Sequence, residues 1–244
     1  MATRRSDVRA ADASNRTATL SVLIPVFNER ATVATSIEAV LEAKLPVRAR
    51  EVIVVDDGST DGTHDVLRNG SWPSEVRILS HPRNLGKGAA IQTALRHAQN
   101  TYTTIMDSDL EYDADDIGLL LEPLLAGESA VFGARGFQAH SSYSFWYVVG
   151  NKTVTLVANL LYNSWVADIM TCHKAVRTDL FQTLPLREAG FAIEAEITAR
   201  LLQAGVRIYE VPISYRARSR EEGKKLTPRD GLRVLRTLIR CRWV

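Results

Sequence analysis

Asp107, Asp109 and Glu111 stand one residue apart behind the apolar run 102–106. In an extended segment alternate side chains point the same way, so the three carboxylates would converge on one face. Carboxylate oxygens suit hard cations such as Mg2+ or Mn2+, and the phosphates of a substrate would complete the coordination. A solvated turn ahead of a helix carries the same letters, so the neighbouring motifs must decide.

Two of them point to a nucleotide. Asp56-Asp57-Gly58-Ser59 joins a carboxylate pair to a glycine turn and to good helix-capping residues. Such an acid can accept the imide N–H of a uracil, or the N1–H and amino group of a guanine; a capped strand-to-helix turn is the alternative. Asn84-Leu85-Gly86-Lys87-Gly88 opens a helix with glycines and a cation. Backbone N–H groups at a helix start attract anions, and Lys87 would add charge at a diphosphate. The spacing is not that of a P-loop.

Residues 216–225 are the densest cationic stretch. Arg216 and Arg218 share a face if the chain is extended there, which suits a loop that closes over phosphates with Gly223 as its hinge. An exposed loop compensated by Glu221 and Glu222 is the alternative. Glu194, Glu196 and Asp168 are candidate general bases, although two-residue spacing on a helix puts Glu194 and Glu196 on different faces. Cys172 and His173 lack partners at zinc spacing.

The elements that must position these groups alternate. Strands are expected at 20–26, 51–55, 76–79, 102–106 and 130–132, and helices at 31–43, 62–68, 88–98 and 115–125. Near-continuous apolar strands, each followed by a helix, predict a parallel sheet covered on both faces, with ligands beyond the carboxyl ends of the strands. The acidic motifs fall at those ends.

With 244 residues, 45% hydrophobic content and a net charge of +2, the chain has the composition of a globular protein and no sign of a nucleic-acid partner. Its two cysteines suggest a reduced, cytoplasmic compartment. Residues 1–17 read as a disordered leader and 18–244 as one domain. The apolar stretch 145–161 is interrupted by Gly150-Asn151-Lys152, so no membrane span is expected. After Pro228 a helix is expected, with Arg229, Arg233, Arg236 and Arg240 on one stripe and Leu232, Leu235, Ile239 and Trp243 on the next. This amphipathic helix suits peripheral contact with an anionic membrane surface, or packing on the core with a solvated arginine face.

Residues 23–29, 54–63, 84–88 and 107–109 occur in an order that resembles the family 2 glycosyltransferases of the GT-A fold. Downstream, residues 132–135, 168–174, 190–196 and 210–215 resemble the dolichol-phosphate mannose synthases and related polyprenyl-phosphate sugar synthases. The similarity runs from Leu20 to the C-terminus. It implies an α/β fold, a Rossmann-like and mostly parallel central sheet flanked by helices. It also implies an inverting, metal-dependent transfer of a hexose from a nucleotide sugar (GDP-mannose or UDP-glucose type) to a polyprenyl phosphate.

On the matching positions, Pro25, Val26, Asn28, Glu29, Asp56, Asp57, Lys87, Asp107 and Ser108 would line the donor site. Asp107, Asp109 and Glu111 would hold Mg2+ or Mn2+, although many relatives carry glutamine at the third place. Arg135 matches an arginine that binds the acceptor phosphate; the second basic residue of that site is missing, and Lys152 is the nearest cation. Arg216, Arg218 and Lys224 would complete phosphate binding, with Asp109, Arg135 and Arg218 closest to the chemistry. A phosphate monoester, with its second pKa near ~6, is a competent nucleophile without a base. Transfer to a hydroxyl, which needs one, stays open, as does a non-catalytic nucleotide-sugar-binding protein. A sugar nucleotidyltransferase would need a glycine-rich loop where this chain has Pro25-Val26-Phe27-Asn28-Glu29.

Overall fold

β1 (Thr19–Val26) owes its place at the heart of the fold to an apolar run in which Leu20, Val22, Leu23 and Ile24 are all removed from water. Each contributes about 1.5–3 kcal/mol by burial. A computed structural model describes residues 17–136, 145–218 and 228–243. Around β1 run α1 (Val33–Glu42), β2 (Ala49–Asp56), α2 (Thr63–Asn69), β3 (Val76–Ser80), α3 (Lys87–His97), β4 (Tyr102–Ile105), α4 (Asp116–Leu125) and β5 (Ala130–Arg135). There follow α5 (Phe145–Tyr162), β6 (Lys174–Arg177), α6 (Thr178–Thr183), α7 (Ile193–Gln203), β7 (Ile208–Ile213) and α8 (Pro228–Trp243).

Seven strands form one sheet in the order β3-β2-β1-β4-β6-β5-β7. All neighbours pair in parallel except β6, which runs antiparallel to both β4 and β5. The sheet is thus mostly parallel, as the resemblance implied, with β6 the one reversed strand among the described residues. Reversal has a consequence for the site: β6 starts where its neighbours end, so the segment 168–173 that leads into it arrives at the same crevice.

Helices α1, α2 and α4 cover one face through Ile37, Leu67 and Leu120, and α3, α5, α7 and α8 cover the other through Ile91, Ala158, Ile197 and Leu238. Burying a helix stripe on each face is what a sheet apolar on both sides requires. The chain is thus a mixed α/β protein of the GT-A type, as the resemblance implied.

Residues 1–16 of the expected leader 1–17, residues 137–144, Gly223, Lys224 and the remainder of 219–227, and Val244 lie outside the described residues.

Candidate functional site

The loops after β1 and β2 are stitched together. Asn28, at a φ of +53°, donates its N–H to Ser59 Oγ at 3.0 Å and accepts Thr60 N–H at 2.8 Å. The Glu29 N–H donates to Thr63 Oγ1 at 2.9 Å. Asp56 is buried at the end of β2 and accepts the Ser59 N–H at 3.0 Å, with His64 Nδ1 at 3.1 Å from its other oxygen. Gly58 lets the backbones close up: a Cβ there would lie 2.4 Å from Arg83 C, and its φ is +71°. Pro25 and Val26 underlie this pocket, the Pro25 carbonyl accepting the buried Ser108 hydroxyl at 3.3 Å.

Asp57 and Lys87 are both engaged within the protein. Asp57 grips the glycine loop, accepting the N–H groups of Leu85 (2.9 Å) and Gly86 (2.7 Å) and facing His81 Nδ1 at 2.7 Å. The Lys87 ammonium lies 2.7 Å from Asp107, 3.1 Å from Glu194 and 2.9 Å from Cys172 Sγ. Glu194 pairs in turn with Lys174 at 2.7 Å, a lysine fully withdrawn from solvent. An ion-pair chain Asp107–Lys87–Glu194–Lys174 therefore runs behind the acids. Burial is the largest influence on Asp107 and opposes its charge, but the Lys87 ammonium and the hydrogen bonds from Cys172 and Lys87 together outweigh it and hold the carboxyl below the usual range.

The acid motif is a turn rather than an extended segment. β4 ends at Ile105 and Leu110 has a φ of +60°. Asp109 stays at the crevice, where burial and then the charges of Asp107 and Glu111 push its carboxyl up to about 7. Glu111, expected as the third metal ligand, has both carboxylate oxygens engaged within the protein. One of its oxygens accepts the Tyr215 hydroxyl at 2.7 Å and the other the Arg218 N–H at 2.8 Å. Among the described residues no group of three His, Cys, Asp or Glu side chains is spaced to hold a metal ion.

Beyond β7 the chain straps over these acids. The Arg216 N–H donates to the Glu111 carbonyl at 2.9 Å, while the Arg216 side chain is exposed. The Arg218 guanidinium meets the Glu29 carboxylate at 3.1 Å and donates to the Asp109 carbonyl. Both arginines come to the crevice, but Arg218 alone is tied across it.

At the end of β5, Arg135 is buried and paired side-on with Asp168 at 2.6 and 2.9 Å. The Tyr147 hydroxyl lies 3.3 Å from its remaining terminal nitrogen, and the Tyr215 ring lies under the guanidinium at 4.9 Å. Asp168 also accepts from Asn151 at 3.1 Å. Lys152 points instead to the Ala167 carbonyl at 3.4 Å on the exposed side of α5. The two helix glutamates diverge as their spacing requires, Glu194 toward Lys87 and Glu196 toward the N–H groups of Arg187 and Glu188.

Sequence reasoning gave no role to Tyr112 or Glu188, nor to Lys174 and Tyr215, which close two of the motifs that carried the resemblance. Tyr112 stacks between Tyr215 (5.1 Å) and His173 (4.9 Å), joining the strap to the ion-pair chain. His173 is fully buried, and burial pulls it down to about 4, so it is neutral. The signal for Lys174 was its place at the end of the 168–174 motif.

The sequence profile described as Glycosyl transferase family 2 matches residues 21–184. Over 213 residues the chain is 29% identical to glycosyltransferase AglJ of Haloferax volcanii, covering 86% of this chain and 67% of that one. It is 24% identical to the dolichol-phosphate mannosyltransferase of Pyrococcus furiosus (84% of this chain, 58% of the relative). For the polyprenol monophosphomannose synthase of Mycolicibacterium smegmatis the identity is 26% (81% and 77%). This chain thus spans only part of each relative.

Glucosyl-3-phosphoglycerate synthase from Mycobacterium tuberculosis, solved with Mn2+, UDP and phosphoglyceric acid, superposes with a TM-score of 0.73 at 21% identity, covering 96% of this chain and 82% of that one. The same synthase has been solved with Mg2+ and UDP, with a TM-score of 0.71 at 21% identity over 97% and 84% of the two chains. These likenesses carry the fold; the profile match over most of the sheet carries the family. With its acids gathered at the carboxyl ends of the strands, the chain belongs to glycosyl transferase family 2.

Proposed function

We propose that this crevice moves a hexose from a nucleotide sugar, of the GDP-mannose or UDP-glucose type, to a polyprenyl phosphate, with inversion at the anomeric carbon. The observation that carries the reading is that the candidate bases are committed. Glu194 lies between two lysines, Asp168 holds Arg135, and Glu196 holds two backbone N–H groups. A hydroxyl acceptor needs a base, whereas a phosphate monoester brings its own charge. The names of the archaeal and mycobacterial relatives point the same way.

In this reading Asp56 takes the base, with Pro25, Val26, Asn28 and Glu29 around it. Asp107 and Asp109 hold Mg2+ or Mn2+; the raised pKa of Asp109 marks a carboxylate that a cation would relieve, so the donor set fits the ion. The metal, when bound, neutralises the departing diphosphate. Arg218 exchanges Glu29 for the same phosphates, and Arg135 orients the acceptor phosphate, fixed by Asp168. Lys87 and Asp57 hold this arrangement from behind. The mannosyltransferase-like relatives and the two cysteines, both free, support a place on the cytoplasmic face of a membrane, reached through α8.

A soluble, phosphate-bearing acceptor is the second reading, favoured by the phosphoglyceric acid bound in the structural neighbour. Incubation with radiolabelled GDP-mannose or UDP-glucose, polyprenyl phosphate and Mn2+ separates the two. Label entering the organic phase is expected. Label transferred only to water-soluble phosphoglycerate would replace the lipid reading with the second.

A further inference from the structure

Beyond the crevice, α8 meets the loop that precedes α7. Glu188 Oε1 accepts the Thr237 hydroxyl at 2.9 Å and Arg240 Nη2 at 2.7 Å, both from α8. The same Arg240 nitrogen lies 3.3 Å from Glu196, which is 0% exposed. One guanidinium therefore balances two carboxylates, one of them without access to water. Glu196 spends its other oxygen on the N–H groups of Arg187 (2.8 Å) and Glu188 (2.6 Å), which fixes the backbone of that loop.

The other side of the loop lies against the glycine turn that carries Lys87. The Glu188 carbonyl accepts from Gln92 at 2.9 Å and the Ala189 carbonyl from the Ala89 N–H at 3.0 Å. There is no room between the two backbones. A Cβ at Gly88 would lie 2.1 Å from the Glu188 carbonyl oxygen, and one at Gly86 2.4 Å from that of Ala189. The turn is held between this loop and Asp57, and its Lys87 meets Asp107.

We infer that Arg240 is a positioning residue for the donor site: acting through Glu188, it sets the 86–88 turn, hence Lys87 and Asp107, and so couples the C-terminal helix to nucleotide-diphosphate binding. Without Arg240, itself 39% exposed, the buried Glu196 and the half-buried Glu188 lose their shared cation, and the Glu196 carboxylate is left out of reach of water with no opposite charge, which the structure must relax around. The loop that relaxes is the one touching the turn. The inference rests on the donor reading above.

Calorimetric titration with Mn2+–UDP and Mn2+–GDP tests it without any acceptor. Arg240→Ala is expected to weaken the preferred nucleotide about three- to thirtyfold, the range of coupling carried by residues remote from a ligand. Arg240→Lys should recover part of the loss. Glu188→Gln, which keeps the volume and removes the charge, should reproduce it in milder form if Arg240→Ala does not fold. Arg242→Ala, on the same helix but bonded to the Leu161 carbonyl at 3.0 Å, should bind as the wild type does. A merely structural role for Arg240 would lower the melting temperature and the number of sites while the dissociation constant of the folded fraction stays put. That result, or unchanged binding in Arg240→Ala and Glu188→Gln, overturns the inference. A wild-type chain that binds neither nucleotide would sink the donor reading, and this inference with it.

Discussion

At Asp109, burial together with the charges of Asp107 and Glu111 holds the carboxyl at about 7, against an ordinary value of 3.8. A carboxyl whose folded pKa is raised keeps its proton more firmly in the folded state than in the unfolded chain. Folding is therefore unpenalised below about pH 4 and loses stability as the pH rises through 7. Full ionisation across that interval costs on the order of 2–4 kcal/mol. Asp109→Asn removes the charge with little change of shape. In metal-free buffer it should raise the melting temperature by several degrees at pH 8 and by next to nothing at pH 4, while abolishing sugar transfer. Equal shifts at both pH values would show that Asp109 is not held in this state. The residue types of the site were legible because carboxylates at strand ends have few structural reasons to cluster. Their partners were not: Glu111 is turned aside by Tyr215 and Arg218, each more than 100 positions away in the chain.

Elements were read well where the apolar period was long. The expected strands and helices up to residue 132 agree with β1 to β5 and α1 to α4 to within a few residues. β6 was not foreseen, since Lys174–Arg177 is four residues long and opens on a lysine whose charge is met only by Glu194 in the folded chain. The acid segment failed for a related reason. An alternating pattern fits a strand and a turn alike, and the positive φ at Leu110, a residue type that seldom adopts it, has no marker in the sequence. Glycines discriminate better between tight turns and ordinary helix. Gly58→Ala meets both a positive φ and the Arg83 backbone, and should cost more than about 2 kcal/mol. Gly118→Ala, inside α4 with nothing within 4 Å of the new methyl, should instead stabilise by about 0.5–1 kcal/mol. Urea titrations read both as shifts of midpoint with constant slope. A neutral Gly58→Ala would mean that the turn is not clamped against the β3–α3 connection.

Over the whole molecule, charge and apolar surface are distributed unevenly. α5 and α8 together carry six cations against one acid, in a chain whose net charge is only +2. They lie side by side, tied by the Tyr162 hydroxyl on the Leu238 carbonyl at 2.9 Å and by Arg242 on the Leu161 carbonyl at 3.0 Å. The sequence reading put Leu232, Leu235, Ile239 and Trp243 on one apolar stripe, and it left open whether the helix meets a membrane surface or packs on the core. The structure shows packing on the core for part of the helix and an exposed remainder. Val234, Leu238 and Cys241 pack inward and Leu235 is half-buried, while Leu232, Ile239 and Trp243, 71% exposed, stay outside with Arg236. α5 adds a second stripe that sequence did not single out, Phe145, Val149, Leu156 and Leu160, followed by Trp165 at 88% exposure. Its outward face was hidden in the sequence because the helix is apolar nearly all round, and only packing shows which side is covered. No helix among the described residues is long and apolar enough to cross a membrane. Leucine and tryptophan set among arginines suit the headgroup boundary of an anionic bilayer, where each basic side chain near the surface adds about 1 kcal/mol. Sedimentation with vesicles should therefore pull the protein down with phosphatidylglycerol and much less with neutral phosphatidylcholine, and added salt should release it. Ile239→Glu and Leu160→Glu, each placing a negative charge on an outward stripe, should lower the partition at least tenfold with no change in melting temperature. Equal binding to neutral and anionic vesicles, or variants that sediment like the wild type, would mean that these stripes serve some other contact and that a lipid acceptor must reach Arg135 by another route.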